Sequence, residues 1–192
     1  MTENTNENTT ENATGNTAEN MAADLAVRPA TPDDRPAVER LWLMFRHDLS
    51  EFQGGLPAAD GGFRNEWVAS AFTGPGWAPY LLTYGDRLAG LAFVRGLDGP
   101  VRVLNSFFVV RGARRRGIGL RAAREVLIRH PGPWEIAYQE DNPAAARFWA
   151  RVATELAGDA WTREPRPVPG RPGLPPDVWI SLTVPALPDA DL

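Results

Sequence analysis

The chain has 192 residues with an apolar share of 43%, enough for one folded domain with a true core. It has no cysteine, which excludes disulfides, thiolate metal sites and a cysteine nucleophile and fits a reducing, cytoplasmic setting. All 20 basic residues are arginine, so lysine chemistry is excluded too, and a net charge of −4 gives no reason to expect nucleic acid as a partner.

Residues 1–23 are rich in Asn, Thr and Glu and lack an apolar period, so a disordered polar tail is expected there. The folded domain is expected over 24–186, with a short C-terminal tail at 187–192. No charged-then-apolar leader opens the sequence. No apolar run approaches a membrane span, so no membrane partner is expected. His47 and His130 lie far apart, and no metal site is expected.

A short strand is predicted at Leu25–Arg28. Thr31-Pro32-Asp33-Asp34 then has the chemistry of a helix start, and Val38, Leu41, Trp42, Phe45 and Leu49 follow at helical spacing. Gly54-Gly55 ends that helix. A second is predicted over Phe63–Phe72. Tyr80–Tyr84 and Leu88–Arg95 flank Gly85-Asp86, a two-residue hairpin signal. Val101–Val110 is a third strand, Ile118–Arg129 a helix and Trp134–Gln139 a strand. Asn142 and Pro143 open another helix, with Ala145, Phe148, Trp149 and Val152 on its buried stripe. A strand near Glu155–Trp161, a proline-rich loop over Pro165–Pro176 and a strand at Val178–Val184 complete the order.

The segment Arg111–Leu120, RGARRRGIGL, sits at the start of a predicted helix. From Arg111 to Arg129 there are seven arginines against Glu125 alone. Arginine is unfavourable at the positive end of a helix dipole unless an anion offsets the repulsion. Gly117 and Gly119 let backbone amides approach such an anion closely, and phosphate is the natural guest. An arginine patch for nucleic acid is one competing reading. Another is a nicotinamide-dependent oxidoreductase, because Gly117–Ala122 matches G-x-G-x-x-A. The six residues between Val110 and Gly117, and the hairpins upstream, do not suit a dinucleotide fold.

Two motifs in this order resemble the Gcn5-related N-acetyltransferase (GNAT) superfamily. Arg114-Arg115-Arg116-Gly117-Ile118-Gly119 is similar to its Arg/Gln-x-x-Gly-x-Gly/Ala loop. Asn142-Pro-Ala-Ala145-Ala-Arg-Phe148-Trp149 is similar to its Asn-initiated helix. Together with Arg46–Phe52 (RHDLSEF), these segments resemble a small group of predicted bacterial acetyltransferases of undefined substrate. The resemblance implies an α/β acyl-CoA N-acyltransferase fold, with a central mixed, mostly antiparallel sheet flanked by helices. It implies acetyl-CoA, held at the diphosphate by the loop 114–119 and along the pantetheine arm by Phe108, Val109, Val110, Asn142, Ala145 and Phe148. It further implies that the strand ending at Val110 and the strand Trp134–Gln139 splay apart, and that a backbone N–H near Val109 holds the thioester carbonyl. The acceptor would be an amine on a small molecule or peptide, and the protein a monomer or homodimer.

Direct attack by an amine needs a proton acceptor, and departure of the thiolate needs a proton. Glu135 is the first candidate base, with Asp48, Glu51 and His47 as others. Tyr138 is the candidate acid, because Trp149 stands where many relatives have a tyrosine; water is the alternative, since a thiol of pKa about 8.5 leaves tolerably near neutrality. Strand alternation puts Glu135 and Tyr138 on opposite faces, so at most one of the two is expected to serve. Phe63, Trp67 and Trp77 would line either the core or an acceptor pocket. The Trp149 departure keeps open an acyl-CoA-binding sensor without catalysis.

Overall fold

Turn chemistry and apolar alternation build the first half of a sheet before any long-range pairing is needed. In the computed structural model, which describes residues 25–168 and 173–186, β2 (Ala78–Tyr84) turns through Gly85-Asp86 into β3 (Arg87–Arg95), and β3 turns back into β4 (Arg102–Val109). Gly85 takes φ +59°, the left-handed conformation this tight turn needs. β1 (Leu25–Pro29) adds antiparallel to β2. The expected tails, 1–23 and 187–192, lie outside the described residues, as does the middle of the proline-rich loop, 169–172.

The second half comprises β5 (Gly132–Gln139), β6 (Trp161–Arg166) and β7 (Asp177–Val184), with β7 inserted between the other two. The seven strands run in the order β1-β2-β3-β4-β5-β7-β6. All neighbours are antiparallel except β4 and β5. This mixed, mostly antiparallel sheet is the expected one, and a doubly wound dinucleotide sheet is ruled out by its order.

Among the described residues four α-helices flank the sheet: α1 (Arg35–Gln53), α2 (Glu66–Thr73), α3 (Ile118–Ile128) and α4 (Pro143–Ala157). They divide the core in two. Val38, Leu41, Trp42, Val68 and Ala71 from α1 and α2 pack on Leu81, Leu91, Phe93 and Phe108. Ile118, Ala122, Val126, Trp149 and Val152 from α3 and α4 pack on the other face, against Leu82, Leu104, Trp134, Ile136, Tyr138 and Ile180. No helix among the described residues is long and apolar enough to cross a membrane.

Three local expectations are corrected. The segment Glu155–Trp161 is not a strand: α4 continues to Ala157, because Leu156 and Ala157 extend its apolar stripe onto the core. Gly158, at φ +59°, then ends the helix and the strand starts at Trp161. The second helix starts at Glu66 rather than Phe63, since the indole N–H of Trp42 donates to the Arg64 carbonyl at 2.7 Å and holds that stretch as loop. Pro165 and Arg166, assigned to the loop, end β6, an edge strand whose outer side needs no N–H from proline.

Candidate active site

β4 and β5 pair only at Arg102–Trp134, Val103–Glu135 and Leu104–Ile136. Beyond these positions the strands part, while β4 remains paired to β3 as far as Val109 and β5 to β7 as far as Gln139. The N–H of Val110 donates to the Ala89 carbonyl at 2.8 Å. By the alternation of an antiparallel ladder, the N–H and C=O of Val109 therefore point away from β3 and into the gap. That carbonyl accepts from Arg114 Nε at 2.8 Å. Gly90 lies opposite Val109, and a β-carbon there would overlap the Phe108 carbonyl oxygen, so β3 approaches β4 closely only as glycine.

The chain leaves β4 through a 3-10 turn at Arg111–Ala113 and reaches α3 by two left-handed residues, Arg115 at φ +64° and Gly117 at φ +74°. A left-handed arginine is uncommon and marks a constrained loop. The first bond of α3 runs from the Arg121 N–H to the Gly117 carbonyl, which leaves the amides of Ile118, Gly119 and Leu120 without acceptors inside the helix. Ile118 is buried and anchors this turn, while Arg115 and Arg116 are exposed beside it. A β-carbon on Gly119 would lie 3.5 Å from the Phe148 ring and 3.6 Å from Val109. The glycine loop, the end of β4 and the start of α4 thus meet at one point.

Asn142 caps α4: its Oδ1 accepts the Ala145 N–H at 2.9 Å. Phe148 stacks on Phe107 at 5.8 Å, and Trp149 meets both rings edge-on at 5.4 and 4.7 Å. Trp149 is buried, so packing is its role.

The proposed proton-transfer residues separate as alternation requires. Tyr138 is 5% exposed in the core beneath α3 and α4. Glu135, half-buried, projects to the opposite face and accepts from Arg166 at 2.7 Å. Arg166 also holds Glu164 at 2.7 Å and lies over the Trp179 ring at 5.2 Å. The alternation of Asp177, Trp179, Ser181 and Thr183 against buried Val178, Ile180 and Leu182 was open to sequence reading. The bridge to Arg166 was not.

Of the other candidate bases, His47 and Glu51 are exposed on α1. Asp48 is engaged: its Oδ1 accepts from Arg111 at 2.9–3.0 Å and its Oδ2 from Arg114. Burial alone would raise its pKa, but the two arginines outweigh that and hold it below the ordinary carboxylate value. A carboxylate so held is a weak proton acceptor. Trp67 is exposed, while Phe63 and Trp77 are half-buried, Trp77 packing on the α1/α2 core. Among the described residues no cluster of His, Cys, Asp and Glu is arranged to hold a metal ion.

No protein-family model and no curated protein matches the chain. Solved structures do match it. Spermidine N-acetyltransferase from Vibrio cholerae, in complex with CoA and spermine, superposes with a TM-score of 0.61 at 12% identity, over 84% of this chain and 96% of that one. An acetyltransferase from Thermus thermophilus gives 0.59 at 18% identity, over 84% and 97%. The ribosomal-protein-S18-alanine N-acetyltransferase from Escherichia coli gives 0.56 at 15% identity, over 88% and 99%. The chain has the GNAT acetyltransferase fold. Within the GNAT fold, the parted strands and the glycine loop are the features around which the candidate site is built.

Proposed function

We propose that this protein is an acyl-CoA-dependent N-acyltransferase that passes an acyl group directly to an amine. The observation that carries the reading is the gap between β4 and β5, opening beside a helix mouth with free amides. Such a gap suits a narrow, amide-containing arm, because unpaired strand groups need hydrogen-bond partners. The residues fit coenzyme A. Amides of Ile118 and Gly119, with Arg115 and Arg116 beside them, would hold the diphosphate. Phe108, Val109 and Val110 on one side, and Ala145 and Phe148 with capped Asn142 on the other, would hold the pantetheine arm.

Bound acetyl-CoA would supply a thioester as the activated acyl group. The N–H of Val109 would stabilise the charge that builds on its carbonyl oxygen. The acceptor amine would enter over the face that α1 and α2 leave uncovered, where Glu135, which shares the single guanidinium of Arg166 with Glu164 while Asp48 alone faces two, would take its proton directly or through water. Tyr138 is buried on the other face and reads as a packing residue, so the departing thiol would be protonated by water. Neither step needs a covalent enzyme intermediate, which suits a chain without cysteine.

A second reading, an acyl-CoA sensor without turnover, is favoured by one observation: Trp149 offers no hydroxyl on the helix beside the gap. Thermal unfolding with acetyl-CoA, NAD and an oligonucleotide separates the ligand classes. Acetyl-CoA at 100 times its dissociation constant should add about 2.7 kcal/mol of stability. Arg116→Glu should abolish that gain and leave the ligand-free Tm unchanged, since Arg116 is exposed. A Tm gain with NAD or oligonucleotide but not acetyl-CoA would overturn the proposal. Thiol release with a panel of amines then separates enzyme from sensor.

A further inference from the structure

We infer that Asp48 is a positioning residue, which acts through Arg114 to fix the backbone at Val109 rather than through contact with any substrate. The inference rests on the proposed acyl-CoA reading and assigns parts within it.

Three contacts define the chain of support. Asp48 on α1 accepts from Arg114 and Arg111 on the loop that follows β4. The Arg114 Nε donates to the Val109 carbonyl at 2.8 Å. The same peptide group is held from its other end, where the Val110 N–H meets the Ala89 carbonyl at 2.8 Å. One peptide plane is thereby pinned on both sides, and its orientation sets that of the neighbouring Val109 N–H in the gap.

α1 makes the same approach with an apolar residue. Phe45, one turn before Asp48, packs on Phe108 at 5.9 Å, and the Arg114 guanidinium lies over that same ring at 5.7 Å. Positions three apart on a helix share a face. Phe45 and Asp48 therefore grip the end of β4 together, one by packing and one by charge. The Asp48 side chain is 19% exposed, against 69% for Arg111 and 42% for Arg114, so the pair with Arg114 is the better shielded of the two.

This arrangement takes Arg114 out of the group expected to face the diphosphate. Its Nε is directed to Val109 and its Nη2 to Asp48, which leaves Arg115 and Arg116 with the amides of α3 for the anion. An unanchored Arg114 would be released toward that mouth. Loss of Asp48 should therefore spoil carbonyl polarisation without weakening coenzyme affinity, a split that a general loss of stability would not produce.

The test compares the parent with Asp48→Asn, Arg114→Met and the double variant. In the ligand-free proteins, hydrogen exchange of the Val110 amide should speed up at least about tenfold in each single variant. With [1-13C]acetyl-CoA bound, the thioester carbonyl resonance should move back toward its free position in both, and the double variant should move it no further. The dissociation constant of acetyl-CoA for Asp48→Asn should stay within about threefold of the parent or tighten. Asp48→Glu should restore part of the parent shift. If one variant unfolds, the other reads the same contact from its opposite end. Unchanged exchange and an unchanged carbonyl resonance in a folded variant would overturn the inference. A parent that binds no acetyl-CoA would instead overturn the functional proposal, and the exchange experiment, which needs no ligand, would still judge the Asp48–Arg114–Val109 contact.

Discussion

His130 and Gly90 show how single residues are constrained by what surrounds them. The His130 Nε2 and the Tyr80 hydroxyl lie 2.6 Å apart, and Tyr80 is buried. Burial first, then Arg102 and Arg129, push the His130 pKa below its ordinary value. The unfolded chain therefore takes up a proton before the folded one as pH falls. Stability is full above the unfolded value, near 6.5, and declines as pH drops from there toward the folded value. Urea midpoints measured from pH 7.5 to 5 should show this decline, and His130→Gln should flatten it. At Gly90 the constraint is steric. Gly90→Ala should destabilise by about 1–3 kcal/mol, as overpacking does, because the new methyl must displace the Phe108 carbonyl. Chemical denaturation measures that cost, and a Gly90→Ala protein as stable as the parent would contradict the close approach of β3 to β4.

Among the elements, α4 and the loop before α3 are the informative pair. Asn142→Ala removes the side-chain acceptor of the Ala145 N–H and should cost about 1 kcal/mol. The urea midpoint of the ligand-free protein reads it. Most of this level was legible in the sequence. Gly85-Asp86 marked the hairpin and Asn142-Pro143 marked the helix start. What failed had local causes. The stripe of α4 outlasts its obvious large residues, because Leu156 and Ala157 continue it into a stretch that also reads as strand. The start of α2 is set by Trp42 on α1, which no local rule contains. The composition of the glycine loop suggests an anion site, which is the role proposed for it. The direction of Arg114 was not legible, since its partner Asp48 stands 66 residues earlier in the chain and acidic residues on an amphipathic helix ordinarily face water.

For the whole molecule, the sheet order carries the functional argument. Sequence order predicted a meander followed by a terminal pair, and hairpin chemistry is enough to expect that. The insertion of β7 between β5 and β6 depends on the match of Val178, Ile180 and Leu182 to the core face already formed by Trp134, Ile136 and Tyr138. The open face keeps Glu135, Glu164, Arg166 and Trp179 together, and Arg166 bridges the two carboxylates.

Three residue pairs are all that stitch β4 to β5. The sheet is thus a pair of leaves sharing a short spine, with α1 and α2 bound to one leaf, β6 and β7 to the other, and α3 and α4 packed across both. A guest lodged between the leaves would serve as the missing rungs of the ladder, so occupancy should stiffen the seam itself and slow its breathing more than it alters either leaf.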